Sequence, residues 1–223
     1  MSEINYHIIS HKNRIPLDIE IGDRPEDFVI EWGFDIVRNI DSKPEKIGYV
    51  EGFTLDETFA TNHGFDILYE ADAHSVDAHE VSVLVYDYEE RLRPELNLES
   101  WGNAIYFQVG YIIPSERGQG LLLRAMWHIL EHSSAVVALV KPFPLQHQPH
   151  PDPEWELPPK TDFDEQREHL VRYFDRFGFE PYPEVEEGIF SSDFYKQFMF
   201  MDLLVKNNPC SFDELPLIRE VGQ

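Results

Sequence analysis

The chain has 223 residues, of which 42% are hydrophobic and 13% aromatic, enough for one domain with a true core and unlike a disordered tract. Its 42 acidic residues against 18 basic ones give a formal charge of -24, which repels phosphate backbones, argues against nucleic-acid binding and favours a cationic partner. The lone cysteine, Cys210, excludes an intramolecular disulfide and fits a reducing compartment. Residues 1–10 lack the basic-then-apolar pattern of a signal peptide, and no apolar run approaches the ~20 residues of a membrane span. A soluble cytoplasmic protein that does not enter membranes is expected.

The first fifty residues or so read as an antiparallel meander with one buried face. Residues 15–21 alternate apolar and polar after Pro16, and residues 28–37 and 47–55 are rich in aromatic and β-branched side chains. Asp41-Ser42-Lys43-Pro44 supplies turn chemistry between them. Over residues 66–86 the period changes. Ile67, Leu68, Ala71, Ser75, Ala78, Val81, Ser82 and Val85 recur at spacings of three and four, which predicts one amphipathic helix. Residues 91–102 read as a loop.

Residues 104–113 read as a strand stopped by Pro114, residues 118–132 as a helix, and residues 135–140 as a strand buried on both faces. Together these make a βαβ unit. Residues 142–160 hold too many prolines for regular structure and predict an insertion or flap, to which His147 and His150 belong. Thr161 is placed to cap a helix, with Asp164 three residues on in an imperfect capping box. That helix runs to about Phe177 and stops at Gly178. Residues 196–205 read as the last strand. The expectation is a single domain over residues 1–206, with an irregular tail over 207–223.

The stretch that carries chemistry is Ile112-Ile113-Pro114-Ser115-Glu116-Arg117-Gly118-Gln119-Gly120-Leu121-Leu122. A strand enters a turn with two glycines and then a helix. The first helical turn has unpaired N–H groups and a partial positive charge, and glycines let an anion approach the backbone, so a pyrophosphate is its natural ligand. It is not a P-loop, because no Gly-Lys-Ser/Thr follows. It is not a dinucleotide fingerprint either, because the full G-x-G-x-x-G is missing.

This run resembles the acyl-CoA motif of GNAT N-acyltransferases, in which an apolar strand and a proline precede Arg/Gln-x-x-Gly-x-Gly/Ala. Arg117, Gly118, Gln119 and Gly120 match, and Leu122 replaces the last small residue. Tyr173-Phe174-Asp175-Arg176-Phe177-Gly178-Phe179 is similar to that family's second signature. The resemblance spans roughly residues 47–205. It implies an α+β (α/β) fold of the GNAT type: a mixed central sheet with an antiparallel N-terminal meander and a splayed βαβ acyl-CoA site. It also implies acetyl-CoA or another acyl-CoA as cosubstrate, held by backbone groups near Ile112, by Arg117, and by N–H groups of Gly118, Gln119, Gly120, Leu121 and Leu122. The reaction implied is direct acyl transfer to a small-molecule or peptidyl amine.

Three positions depart from the family pattern. Leu122 is bulky, Arg167 lies near the place of a frequent asparagine, and Phe174 stands where the family often has a proton-donating tyrosine. Tyr173, one residue earlier, becomes the candidate proton donor. For a general base the candidates are Glu51 and His74. His74 is expected to share one helical face with Glu70 and Asp77, an arrangement read as a base or a solvated face and not as a metal site. Two other readings compete with catalysis: a non-catalytic binding module of the same fold, motivated by Leu122 and Phe174, and an acidic interaction protein, motivated by the charge.

Overall fold

The computed structural model describes residues 4–13, 28–40, 43–87, 92–96, 98, 102–148, 157, 159–183 and 192–203. Its frame is a seven-stranded mixed sheet of strands β1 (Ile4–Asn13), β2 (Val29–Ile40), β3 (Lys43–Leu55), β4 (Asn103–Ile112), β5 (Ala135–Val140), β6 (Glu180–Pro181) and β7 (Met199–Asp202). Their order across the sheet is β1-β2-β3-β4-β5-β7-β6. Strands β1 to β4 are antiparallel neighbours, β5 runs parallel to β4, and β7 runs antiparallel to both β5 and β6. The helices are α1 (Glu57–His63), α2 (Ile67–His74), α3 (Val76–Val85), α4 (Leu121–Glu131), α5 (Phe163–Asp175) and α6 (Ser192–Tyr195). The architecture is α+β.

Two cores sandwich the sheet. Tyr106, Val137 and Leu139 join Ile67, Val81 and Leu84 on the face covered by α1, α2 and α3. Ile105, Phe107 and Ala138 join Leu121, Met126 and Phe174 on the face covered by α4 and α5. Central strands buried on both faces show no alternation, which is why β5 reads as an unbroken apolar run.

Several expectations change. The segment 15–21 lies outside the described residues, and a strand not singled out, β1, forms the sheet edge with Tyr6 and Ile8 packed against the core. Lys43 and Pro44 belong to β3, opposite Ile40 and Asn39. The single helix expected over residues 66–86 is two helices. Ser75 is extended, with φ -165° and ψ 159°, and its hydroxyl accepts the Ala78 N–H at 3.1 Å to cap α3. A further helix, α1, precedes them, capped by Asp56 accepting from the Phe59 N–H at 3.0 Å.

Helix α4 starts at Leu121 and not at Gly118, because Gly118 and Gly120 hold φ of 80° and 71°. Helix α5 is capped by Asp162 and not by Thr161, whose hydroxyl is engaged by Gln166. A 3-10 turn, Leu145–His147, lies within the proline-rich stretch. Strand β6 and helix α6 were not expected, and β7 is shorter than the run 196–205. No helix among the described residues is long and apolar enough to cross a membrane.

The break at Ser75 makes a checkable claim. Ser75→Ala removes the cap of α3 and is expected to lower stability by about 1 kcal/mol, read as a lower denaturation midpoint with an unchanged slope in urea. Ser75→Asp should retain most of the stability.

Candidate functional site

Strands β4 and β5 pair from Asn103↔Ala135 to Phe107↔Val140 and then part. Strand β5 ends there, followed by Lys141 and by Pro142, which has no N–H to continue a ladder. Strand β4 goes on to Ile112, paired only with β3. At the parting point β4 carries a bulge: Glu51 faces Val109 and Gly52 faces Phe107, so Gln108 is the extra residue. From Gln108 onward one edge of β4 is therefore not taken by a strand among the described residues. A backbone edge in this state needs water or a ligand for its polar groups.

The glycine loop closes the far end of this edge. A 3-10 turn, Pro114–Glu116, leads into Arg117, whose Nε donates to the Ile112 carbonyl at 2.8 Å and whose guanidinium lies 5.7 Å from the Tyr111 ring centre. Gly120 is the N-cap of α4 and offers no side chain, and the first backbone bond of the helix runs from the Arg124 N–H to the Gly120 carbonyl at 3.1 Å. The N–H groups of Gly118 to Leu122 thus make no backbone hydrogen bond among the described residues. Such N–H groups at the positive end of a helix dipole make a candidate cradle for an anion. Leu122 does not stand alone as an obstruction: its side chain lies over Gly110 of β4, where a Cβ would come within 2.8 Å of Cδ1.

Glu116 fixes the loop against the sheet. It is 5% exposed, and its carboxylate accepts from the Tyr6 hydroxyl at 3.2 Å, from Gln119 Nε2 at 3.0 Å and from Arg38 Nη1. Arg38 also donates to Glu45 at 2.6 Å. One buried carboxylate so ties β1 and β2 to the turn that presents the cradle. Arg38 neutralises a charge that would otherwise repel an anion bound nearby.

A second group of side chains stands at the parting point on the other face of the sheet. Gln108 donates through Nε2 to Asp77 of α3. Lys141 Nζ lies 3.3 Å from Glu80 Oε2 and 5.0 Å from the Phe198 ring centre. Tyr106 lies beneath them, 6.4 Å from Phe198 between ring centres. Burial pushes its hydroxyl far above the usual tyrosine range, with the charges of Asp77 and Glu80 adding to the effect. Sequence reasoning did not single out Glu116, Gln108, Glu80 or Lys141 as site residues. The only signal in the chain is a glutamine inside an otherwise apolar strand.

The sequence-derived candidates divide. Glu51 sits on β3 opposite Val109, beside the bulge and on the face of Phe53, the same face as α3. His74 ends α2, and the break at Ser75 carries Asp77 onto the next helix, so the shared face expected for Glu70, His74 and Asp77 does not exist. Tyr173 lies half-buried on the α4 and α5 side, with its ring 5.4 Å from that of Phe174. Burial raises its pKa, while the Leu123 N–H, directed at its hydroxyl, works the other way. Tyr173 thus stands at the start of α4 and not among the side chains at the parting point. Arg167 donates to the Lys196 carbonyl at 2.6 Å, a bond that ties α5 to the turn before β7.

Among the described residues no group of three or more His, Cys, Asp or Glu side chains could hold a metal. An open cavity of about 240 Å3, lined by Trp32, Thr54, His128, Ile129 and His132, lies at the opposite end of α4 from the cradle. Comparison with protein-family models, curated proteins and solved structures finds no match for this chain.

Two sets of variants test this geometry. Gly110→Ala is expected to lose about 1–3 kcal/mol by crowding Leu122, and Gly110→Ala with Leu122→Ala should recover most of that in denaturant melts. Arg38→Met leaves Glu116 buried without its cation and should cost about 2–3 kcal/mol, less than for a fully buried pair because Arg38 is 19% exposed. Adding Glu116→Gln should restore part of the loss, since Tyr6 and Gln119 can still bond a neutral amide.

Proposed function

We propose that this chain is a divergent GNAT-type N-acyltransferase that takes acetyl-CoA or a related acyl-CoA and transfers the acyl group to an amine. The observation that carries the reading is the free edge of β4 beyond the Gln108 bulge, running straight into an uncapped helix with two left-handed glycines. A pantetheine arm carries amide groups and can pair with such an edge as a strand would. The cradle from Gly118 to Leu122 suits the pyrophosphate, and Arg117, held against the Ile112 carbonyl, brings a positive charge to the same loop in an otherwise acidic protein.

Bound in this way, the thioester would fall near Gln108, and the amine would approach from the α3 face. Acyl transfer needs a neutral amine, so a carboxylate must take its proton. Glu51 and Glu80 are the groups at hand. It also needs a donor for the developing oxyanion, a role that backbone N–H groups at the bulge can fill. The nitrogen–carbon bond forms, the carbon–sulfur bond breaks, and the thiolate leaves with a proton. Tyr173, kept protonated by burial, is the acid named by sequence. Its place beside the Leu123 N–H suits hydrogen bonding to the phosphate end of the arm better than proton donation at the sulfur.

One observation favours a second, non-catalytic reading. Lys141 already holds Glu80, as it would in a binding module whose acceptor side is closed.

Titration calorimetry with acetyl-CoA separates these possibilities. The acyltransferase reading expects one site of micromolar affinity and release of free thiol with at least one member of an amine panel. Gly118→Ala, which forces a side chain into φ 80°, strains the cradle by roughly 1–2 kcal/mol and should weaken binding about tenfold. Absence of binding at high micromolar acetyl-CoA overturns the reading; binding without thiol release leaves the module.

A further inference from the structure

The group at the parting point contains a feature that acyl-CoA binding alone does not require. After the last pair, Phe107↔Val140, the next residues on the two strands are Gln108 and Lys141. Lys141 therefore issues from the apex of the cleft, and its side chain turns to the α3 face. Its ammonium lies between a carboxylate, Glu80 at 3.3 Å, and the face of an aromatic ring, Phe198 at 5.0 Å. A carboxylate beside an aromatic face is the chemistry that seats a cationic amine. In this chain the seat at the acceptor side is filled by the protein's own amine.

We propose that Lys141 is an acyl acceptor within its own chain. This rests on the acyl-CoA reading above. Glu80 takes a proton from the Lys141 ammonium, and the freed lone pair of Nζ attacks the acyl carbonyl. A nitrogen–carbon bond forms, the carbon–sulfur bond breaks, and the products are an amide on Lys141, free CoA thiol and one proton released to solvent. No oxidant, reductant or further reactant is needed. Acylation removes the positive charge of Lys141, which ends its ion pair and frees Glu80 for an incoming amine. The same step thus marks the lysine and opens the seat.

Exposure provides an internal control. The Lys141 side chain is 26% exposed, against 53% for Lys46 and 60% for Lys196. Lysines that react according to access alone would be modified in the opposite order. The experiment incubates the full chain with acetyl-CoA and follows acetylation of each lysine by peptide mass spectrometry. A parallel sample receives a chemical acetylating ester, and calorimetry on the same preparation records acetyl-CoA binding.

Held at the apex, Lys141 should be acetylated by acetyl-CoA at least about tenfold faster than Lys46 or Lys196. With the chemical ester Lys46 and Lys196 should lead. Glu80→Gln should slow Lys141 about tenfold or more and leave Lys46 and Lys196 unchanged, circular dichroism confirming that the variant is folded. If acetyl-CoA binds but Lys141 is no faster than Lys46, the inference is overturned and the acyl-CoA reading stands. It is also overturned if Lys141 leads equally with the chemical ester, or if Glu80→Gln leaves its rate unchanged. Absence of acetyl-CoA binding overturns both.

Discussion

The separation of β4 from β5 after Phe107↔Val140 is the constraint on which the remaining geometry depends. Parallel neighbours in the middle of a sheet normally satisfy each other's backbone groups along their full length. Here Pro142 removes the donor that would extend β5, and the extra residue at Gln108 re-aims β4 at the same level. The result is a run of β4 with β3 on one edge and, among the described residues, no strand on the other. Arg117 satisfies part of it by donating to the Ile112 carbonyl, and the Leu122 side chain covers Gly110. The remainder is an open backbone edge between Gln108, which reaches Asp77 of α3, and the loop before α4.

The loop at the end of that edge is held in place by Glu116. A loop whose glycines adopt positive φ has little of its own to hold it in place. A buried carboxylate with donors from β1, β2 and the loop itself pins it to the sheet. The same group limits the negative charge beside the loop in a chain of net charge -24. Overall charge governs long-range approach, but an ion pair within a few ångströms governs the local field. Arg38, held between Glu116 and Glu45, offsets one of the two carboxylates beside the loop.

What the sequence revealed follows from the range of the interactions involved. The glycine loop, β4, β5 and the end of α5 were legible because glycines, prolines and apolar period are local signals. The division of α2 from α3 was not. Ile67, Ala71, Ala78 and Val81 keep their helical spacing across Ser75, and only the extended backbone of that one residue redirects the chain. Strand β1 was not named as a strand of its own because the alternation of Ile4, Tyr6 and Ile8 is short and ends at Ile9, which is exposed. The charged groups of the site were illegible for a different reason. Glu116 meets Arg38 across 78 residues and Lys141 meets Glu80 across 61, so neither pair leaves any pattern along the chain.

Tyr173 and Phe174 illustrate how such distant contacts reassign a motif. Successive helical residues point about 100° apart, so only one of this pair can face the core between α5 and the sheet. Phe174 takes that place, 7% exposed and packed against Phe179. Tyr173 is thereby turned toward α4, where the Leu123 N–H meets its hydroxyl. A tyrosine at position 174 would have to bury its hydroxyl among phenylalanines, at a desolvation cost of roughly 1–3 kcal/mol without a partner. The packing of this core thus favours phenylalanine at 174 and moves the hydroxyl to the start of α4. Under the acyltransferase reading, the proton chemistry then depends on the α3 side, where Glu80 and Lys141 already form a carboxylate–amine pair.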